Sequence, residues 1–278
     1  MKKRISEYPS LRGKTVAISG STGGIGRQLC LSLSRLGANI ICLDRNAEKV
    51  KELARELAET DVRHILCDLS DMQSVHRAAD ELEKADVDVL ILCAGAYHIP
   101  RVTCDSGYDN IFQINFLAPY YLAARMKPHL LKRGGKVVTV SSLSVALTRF
   151  DPEDPEKETG NAVTAYGSAK RCLLFSLSSL YDGSDALSLT HPGISPTGIT
   201  SGYPRLIKAA IKYPMKLVFM SPKKASNCVL RGVFQATERG KWIGPRILGI
   251  WGKPKLTGIK SYNDRESDDV CRWLKNNF

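Results

Sequence analysis

Tyr166 and Lys170 stand four residues apart in Thr164-Ala165-Tyr166-Gly167-Ser168-Ala169-Lys170, a spacing that brings both side chains to one face of a helix. An ammonium beside a phenol favours the phenolate and lowers a pKa that is about 10 when unperturbed. Such a phenol can exchange a proton with a carbonyl or a hydroxyl near neutral pH, as general acid–base catalysis requires. Tyr-x-x-x-Lys alone arises often by chance. Here it comes after a Gly-rich loop that follows one strand and after Ser141-Ser142 at the end of another, and that combination carries weight.

The elements that must position these groups begin with the Gly-rich loop. Lys14-Thr15-Val16-Ala17-Ile18-Ser19 reads as a short buried strand, and Gly20-Ser21-Thr22-Gly23-Gly24-Ile25-Gly26 follows directly. A helical pattern then opens, with Ile25, Leu29, Leu33 and Leu36 on one side and Gly37 as its stop. A strand, a glycine turn and a helix N-terminus make an anion site, because backbone N–H groups and the helix dipole face a phosphate. The spacing is G-x-x-x-G-x-G, and the alternative to a phosphate cradle is an ordinary Gly-rich turn.

On these residues the chain resembles the short-chain dehydrogenase/reductase family over roughly residues 10–200. The family's T-G-x-x-x-G-x-G appears as Ser19-Gly20-Ser21-Thr22-Gly23-Gly24-Ile25-Gly26, with Ser for the leading Thr. Its N-N-A-G appears as Leu92-Cys93-Ala94-Gly95 without either asparagine, which weakens a structural hydrogen-bonding role and keeps the Ala94-Gly95 approach to cofactor. The resemblance implies Asn115, Ser142, Tyr166 and Lys170 as the catalytic set, and it matches P-G-x-x-x-T to Pro192-Gly193-Ile194-Ser195-Pro196-Thr197. It further implies cofactor contacts from Gly20, Ser21, Thr22, Gly24, Ile25, Gly26, Asp44, Arg45, Asp68, Leu69, Ala94, Gly95, Tyr166, Lys170, Pro192, Gly193, Ile194 and Thr197. The implied reaction is reversible alcohol–carbonyl interconversion with a nicotinamide cofactor, in which Ser142 holds the substrate oxygen, Tyr166 moves the proton and Lys170 holds the nicotinamide ribose. Asn115 is then expected to bind a water leading from Lys170 to solvent.

A chain of 278 residues, 43% apolar, has material for one large core and contains no linker-like stretch or repeat. Strand-like runs at 16–19, 39–43, 62–67, 87–92, 136–140 and 186–190 alternate with helical patterns. Such alternation predicts an α/β fold, a doubly wound parallel sheet (Rossmann-like) with helices on both faces in a single domain, 1–278. The site is then expected at the carboxyl ends of the strands.

The cofactor choice turns on Asp44-Arg45 at the end of the second strand. A carboxylate there accepts the adenosine ribose hydroxyls and repels a 2′-phosphate, whereas an Arg favours the phosphate. The expectation is NAD, with NADP left open by Arg45. Asp68 matches the family's adenine contact, or else caps the helix that starts near Met72.

Eight cysteines form no C-x-x-C pair, and several lie in apolar runs, which suggests a reduced, cytoplasmic chain without disulfides or zinc. The five histidines lack metal-ligand spacing; His98, in the loop after the fourth strand, is a candidate substrate contact. The acidic insert at 149–160, between Ser142 and Tyr166, reads as a solvated surface loop.

All of the formal +12 charge resides in 201–262, where thirteen Lys and Arg face only Glu238. Within it, 195–220 reads as an amphipathic substrate lid broken at Pro214. A lid over an apolar alcohol or ketone (a hydroxysteroid, retinoid or other lipid-like molecule) competes with contact to a membrane surface or an anionic substrate and with an ordinary solvated face. No nucleic-acid-reading motif accompanies the charge. A homo-oligomer is expected from related folds, which often pair through the two long helices beside the site. The alternative to an enzyme is a non-catalytic nicotinamide-binding scaffold or regulatory protein.

Overall fold

Near-continuous apolar runs, such as Val16-Ala17-Ile18 and Leu90-Ile91, have no accessible surface, as expected for strands covered on both faces. The computed structural model describes residues 7–193 and 220–278. Its strands are β1 (Thr15–Ser19), β2 (Asn39–Asp44), β3 (Val62–Leu66), β4 (Val89–Leu92), β5 (Lys136–Val140), β6 (Leu187–Thr190), β7 (Lys241–Ile247) and β8 (Trp251–Gly258). They form one sheet in the order β3-β2-β1-β4-β5-β6-β7-β8, parallel except for the antiparallel pairing of β7 with β8. The order reverses between β1 and β4, so the loops leaving those two strands diverge and open a crevice.

The helices are α1 (Gly24–Arg35), α2 (Ala47–Glu56), α3 (Met72–Glu83), α4 (Asn110–Phe112), α5 (Ala118–Lys132), α6 (Ala162–Leu180), α7 (Pro222–Phe234) and α8 (Asp264–Asn277). A single π turn, Gln113–Leu117, joins α4 to α5. One core layer packs Leu29, Leu33, Val50, Leu53, Val229 and Leu230 of α1, α2 and α7 on the sheet. The opposite layer draws on Val75, Leu82, Leu122, Met126, Leu173 and Leu177 of α3, α5 and α6. The expected doubly wound α/β domain is therefore present, with strand limits shifted by a residue or two and with β7 and β8 added.

Side-chain caps fix where several helices start. Asn161 Oδ1 accepts the N–H groups of Val163 (2.9 Å) and Thr164 (3.1 Å), so α6 begins one turn before Tyr166. Such a cap contributes about 1 kcal/mol. Asp71, not Asp68, caps α3, through Gln73 and Ser74 N–H. The cap alternative for Asp68 is thereby corrected: its carboxylate closes a turn on Ser70 instead.

The acidic insert differs from a solvated loop. Pro155 O accepts the Ser168 hydroxyl at 2.7 Å, and the Arg101 guanidinium donates to the carbonyls of Lys157 and Glu158. Phe150 N–H donates to Glu266 at 2.7 Å. Backbone carbonyls and one buried acid thus fasten a segment whose composition suggests only solvation. Beyond it, α8 lies along α6 and drives Trp273 among Tyr108, Phe112 and Phe116.

The β7–β8 connection is a tight turn closed by Ile250 N–H on Ile247 O at 2.9 Å. Its central residues, Leu248 (φ 50°) and Gly249 (φ 70°), are both left-handed, the geometry of a type I′ hairpin. Asn-Gly is the favoured pair there, and a left-handed leucine costs roughly 1–2 kcal/mol.

Candidate active site

At the first crevice loop, Gly26 sits so close to the preceding turn that a Cβ would lie 2.1 Å from Gly20 O. Only glycine lets α1 pack there. Gly23 precedes α1 without a side-chain cap and the first turn has no acid, so the N–H groups of Gly24, Ile25 and Gly26 remain for an anion. Ser19, in place of the family's Thr, accepts the N–H groups of Cys93 (3.1 Å) and Ala94 (3.2 Å) through its hydroxyl. This one side chain ties the ends of β1 and β4 together across the crevice.

Asp44 is turned into the Gly-rich loop. Its carboxylate accepts Ser21 N–H at 2.8 Å, the Ser21 hydroxyl, and the Thr22 hydroxyl at 2.9 Å. Arg45 points the other way and pairs with Asp68 at 3.9 Å. The Leu69 side chain is buried in the core, while its carbonyl accepts Gln113 Nε2 at 3.2 Å. These residues fit a dinucleotide. An uncapped helix N-terminus and a glycine cradle meet a pyrophosphate, and the Asp44 carboxylate stands at the end of β2.

Asn115 lies in the π turn, a feature frequent at functional sites. Its amide donates to Ala96 O and Ile111 O, both at 2.8 Å, and its carbonyl accepts Ala96 N–H at 3.2 Å. It thereby clamps the loop after β4 to the π turn. Gly95 passes between it and Lys170; a Cβ there would approach Asn115 Oδ1 at 2.9 Å and Lys170 Nζ at 3.5 Å.

Lys170 and Tyr166 do share one face of α6, with the ammonium 5.9 Å from the centre of the phenol ring. Ser142, at the end of β5, starts a short 3-10 turn, accepts Ser144 N–H at 3.2 Å, and faces the phenol closely enough to favour its ionised form. Burial nevertheless dominates both groups. It pushes the Tyr166 phenol up to about 12, against the opposing effect of Ser142, and pulls the Lys170 ammonium down to about 8. The expected lowering of the phenol by Lys170 is therefore corrected for the protein alone. At 3% exposure, Lys170 is itself partly discharged above neutral pH.

Two neighbours of this pair escaped the sequence reading. Tyr97 stands edge-on to Tyr166, with ring centres 5.3 Å apart. Cys93, at a position where the family has Asn, lies close enough to Lys170 to affect its ionisation. An aromatic residue directly after Ala94-Gly95-Ala96 was the available signal. Pro192 and Gly193 follow β6, where Gly193 N–H donates to His191 Nδ1 at 3.2 Å. Ile194 and Thr197, like 195–219 of the expected lid, lie outside the described residues.

The sequence model of the short chain dehydrogenase family matches residues 14–174, the stretch that contains every element just described up to Lys170. The chain belongs to that family. Among its relatives, a Streptomyces sp. (strain C5) protein named for daunorubicin C-13 ketoreduction, DnrU, is 26% identical over 86% of this chain and 88% of its own. Human retinol dehydrogenase 13 is 29% identical over 68% of this chain and 61% of its own length. An uncharacterized Mycobacterium paratuberculosis protein of known structure superposes with a TM-score of 0.72 at 25% identity, covering 97% of this dehydrogenase-family chain and 92% of that one. Proteins of the same fold have been solved with NADP and with NAD bound. Among the described residues no helix is long and apolar enough to cross a membrane, and no cluster of His, Cys, Asp or Glu could hold a metal.

Proposed function

We propose that this family member interconverts a secondary alcohol and a ketone, or an alcohol and an aldehyde, on an apolar small molecule, using NAD(H). The observation that carries the reading is the convergence of Ser142, Tyr166 and Lys170, with Asn115 behind them, beside an uncapped helix N-terminus. When bound, the nicotinamide supplies or accepts the hydride.

The chain's own residues do the rest. Ser142 donates a hydrogen bond to the substrate oxygen. Tyr166, protonated at neutral pH because it is buried, hands its proton to that oxygen in the reducing direction and takes one back in the oxidising direction. Lys170 in its charged form offsets the phenolate left behind and holds ribose hydroxyls. Asn115 keeps the loop of Gly95 and Ala96 against Lys170 and so fixes the distance between them. Tyr97 supplies an apolar wall beside the phenol.

The choice of NAD(H) rests on Asp44, whose carboxylate would repel a 2′-phosphate, and on Arg45, which pairs with Asp68. Eight free cysteines support a reduced, cytoplasmic setting. Absorbance change at the nicotinamide band with purified protein and a panel of hydroxysteroids, retinoids, aryl ketones and polyols tests the reading. Turnover confined to apolar members supports it. Cofactor binding without turnover of any member would favour a scaffold.

A further inference from the structure

We infer that the β7–β8 hairpin tip docks on an anionic lipid bilayer. Ile247 and Leu248 are 55% and 81% exposed at this tip. Two large aliphatic side chains in sequence expose an apolar patch at this turn. Leu248 is also left-handed, in a turn whose geometry favours Asn-Gly, so folding does not ask for leucine there.

Charge decides what the partner is. From Arg239 to Tyr262 the chain has six cations and no acid, and of these Arg239 and Lys241 pair with Asp182, Asp264 and Glu238 outside that stretch. Arg246, Lys253 and Lys255 are exposed on the two strands behind the tip, and Arg246 and Lys255 make no ion pair among the described residues. An apolar tip with a cationic collar matches the interface of an anionic bilayer, where the aliphatic groups enter the acyl boundary and the cations meet headgroup phosphates. Trp251, partly exposed beside the tip, suits the same depth. The hairpin also borders the site. A Cβ at Gly249 would lie 3.3 Å from Leu143, the neighbour of Ser142, and one at Gly193 would lie 2.6 Å from Ile250 O. Docking there would bring the backbone beside Leu143 and Gly193 close to the bilayer.

The test is co-sedimentation of the full chain with sonicated vesicles of phosphatidylcholine alone and of phosphatidylcholine with one-third phosphatidylglycerol. A parallel readout is tryptophan emission, since Trp242 and Trp273 are buried and Trp251 is the responsive one. The parent is expected to bind the anionic vesicles, with a blue shift, and to leave neutral ones. L248N suits the turn and should fold at least as well, yet weaken binding about tenfold or more. Each of R246Q and K255Q should weaken it about fivefold, an effect that fades at high salt. NADH affinity should be the same in parent and variants, so the docking result is independent of the redox reading. No binding by the parent, or equal binding by L248N, overturns the inference. So does sedimentation velocity in which the parent self-associates and L248N does not, because the tip would then join two copies of this chain.

Discussion

Arg171 donates through Nε and an Nη to both carboxylate oxygens of Glu266, joining α6 to α8 across 95 residues of sequence. The pair is almost without solvent and fully satisfied. Arg171 also donates to Val145 O at 2.7 Å and Ser261 O at 2.9 Å, while Glu266 accepts Phe150 N–H. Arg171 adjoins Lys170, and Val145 lies in the turn that begins at Ser142. The C-terminal helix therefore braces the loop that presents Ser142.

Breaking a buried pair on one side strands a charge and costs about 3–5 kcal/mol. Glu266→Gln should lower thermal stability by an amount of that order, measured by calorimetry. If the brace positions Ser142, the surviving folded fraction should also lose kcat more than KM. Unchanged kcat per folded molecule would reduce the pair to scaffolding.

Asp44 and its bonds to Ser21 and Thr22 predict a preference for NADH. A like-charge approach costs several kcal/mol, so kcat/KM should favour NADH over NADPH by about 10²-fold or more. Asp44→Ser should erase most of that ratio. A parent that prefers NADPH would mean that Arg45 leaves Asp68 and meets the phosphate.

His191 gives a pH prediction with a definite sign. It is 1% exposed against Trp242, and burial pulls its pKa down to about 4. The unfolded chain protonates this imidazole near 6.5 and the folded one only near 4, so stability is full above about 6.5 and is lost as pH falls through that window. The loss amounts to roughly 3 kcal/mol by pH 4. Urea melts at pH 7 and pH 5 should show it, and His191→Asn should flatten the difference.

Lys170 has the opposite consequence for binding. Its ammonium, held near 8 by burial, is discharged as pH rises, and the discharged amine holds ribose hydroxyls and offsets a phenolate less well. Cofactor Kd should therefore rise as pH climbs past about 8 in the parent. Lys170→Met should bind weakly at every pH, without that slope. Fluorescence titration across pH 6.5–9.5 would check both.

Much of this was legible because β1, β2, β4, β5 and β6 are buried and so appear as short apolar runs, while the edge strand β3 keeps only Ile65 buried. Strands β7 and β8 were not, since Gly244, Pro245, Gly252 and Pro254 interrupt the pattern and the lysines of an edge strand look like any charged surface. Tyr166, Lys170 and Ser142 could be read from spacing and motif. Their ionisation could not, because it depends on how tightly the loops of Gly95 and Ser142 close over them. Arg171 likewise reads as one more helix cation until α8 brings Glu266 against it.

The central claim is that Tyr166 moves the proton. The direct measurement is single-turnover reduction of a ketone that the parent turns over, followed at the nicotinamide band, for parent and Tyr166→Phe with cofactor affinity measured alongside. Loss of a positioned general acid should slow the step by about 10²–10⁴-fold while NADH affinity changes less than about twofold. A variant that reduces the ketone within a few-fold of the parent would contradict the account.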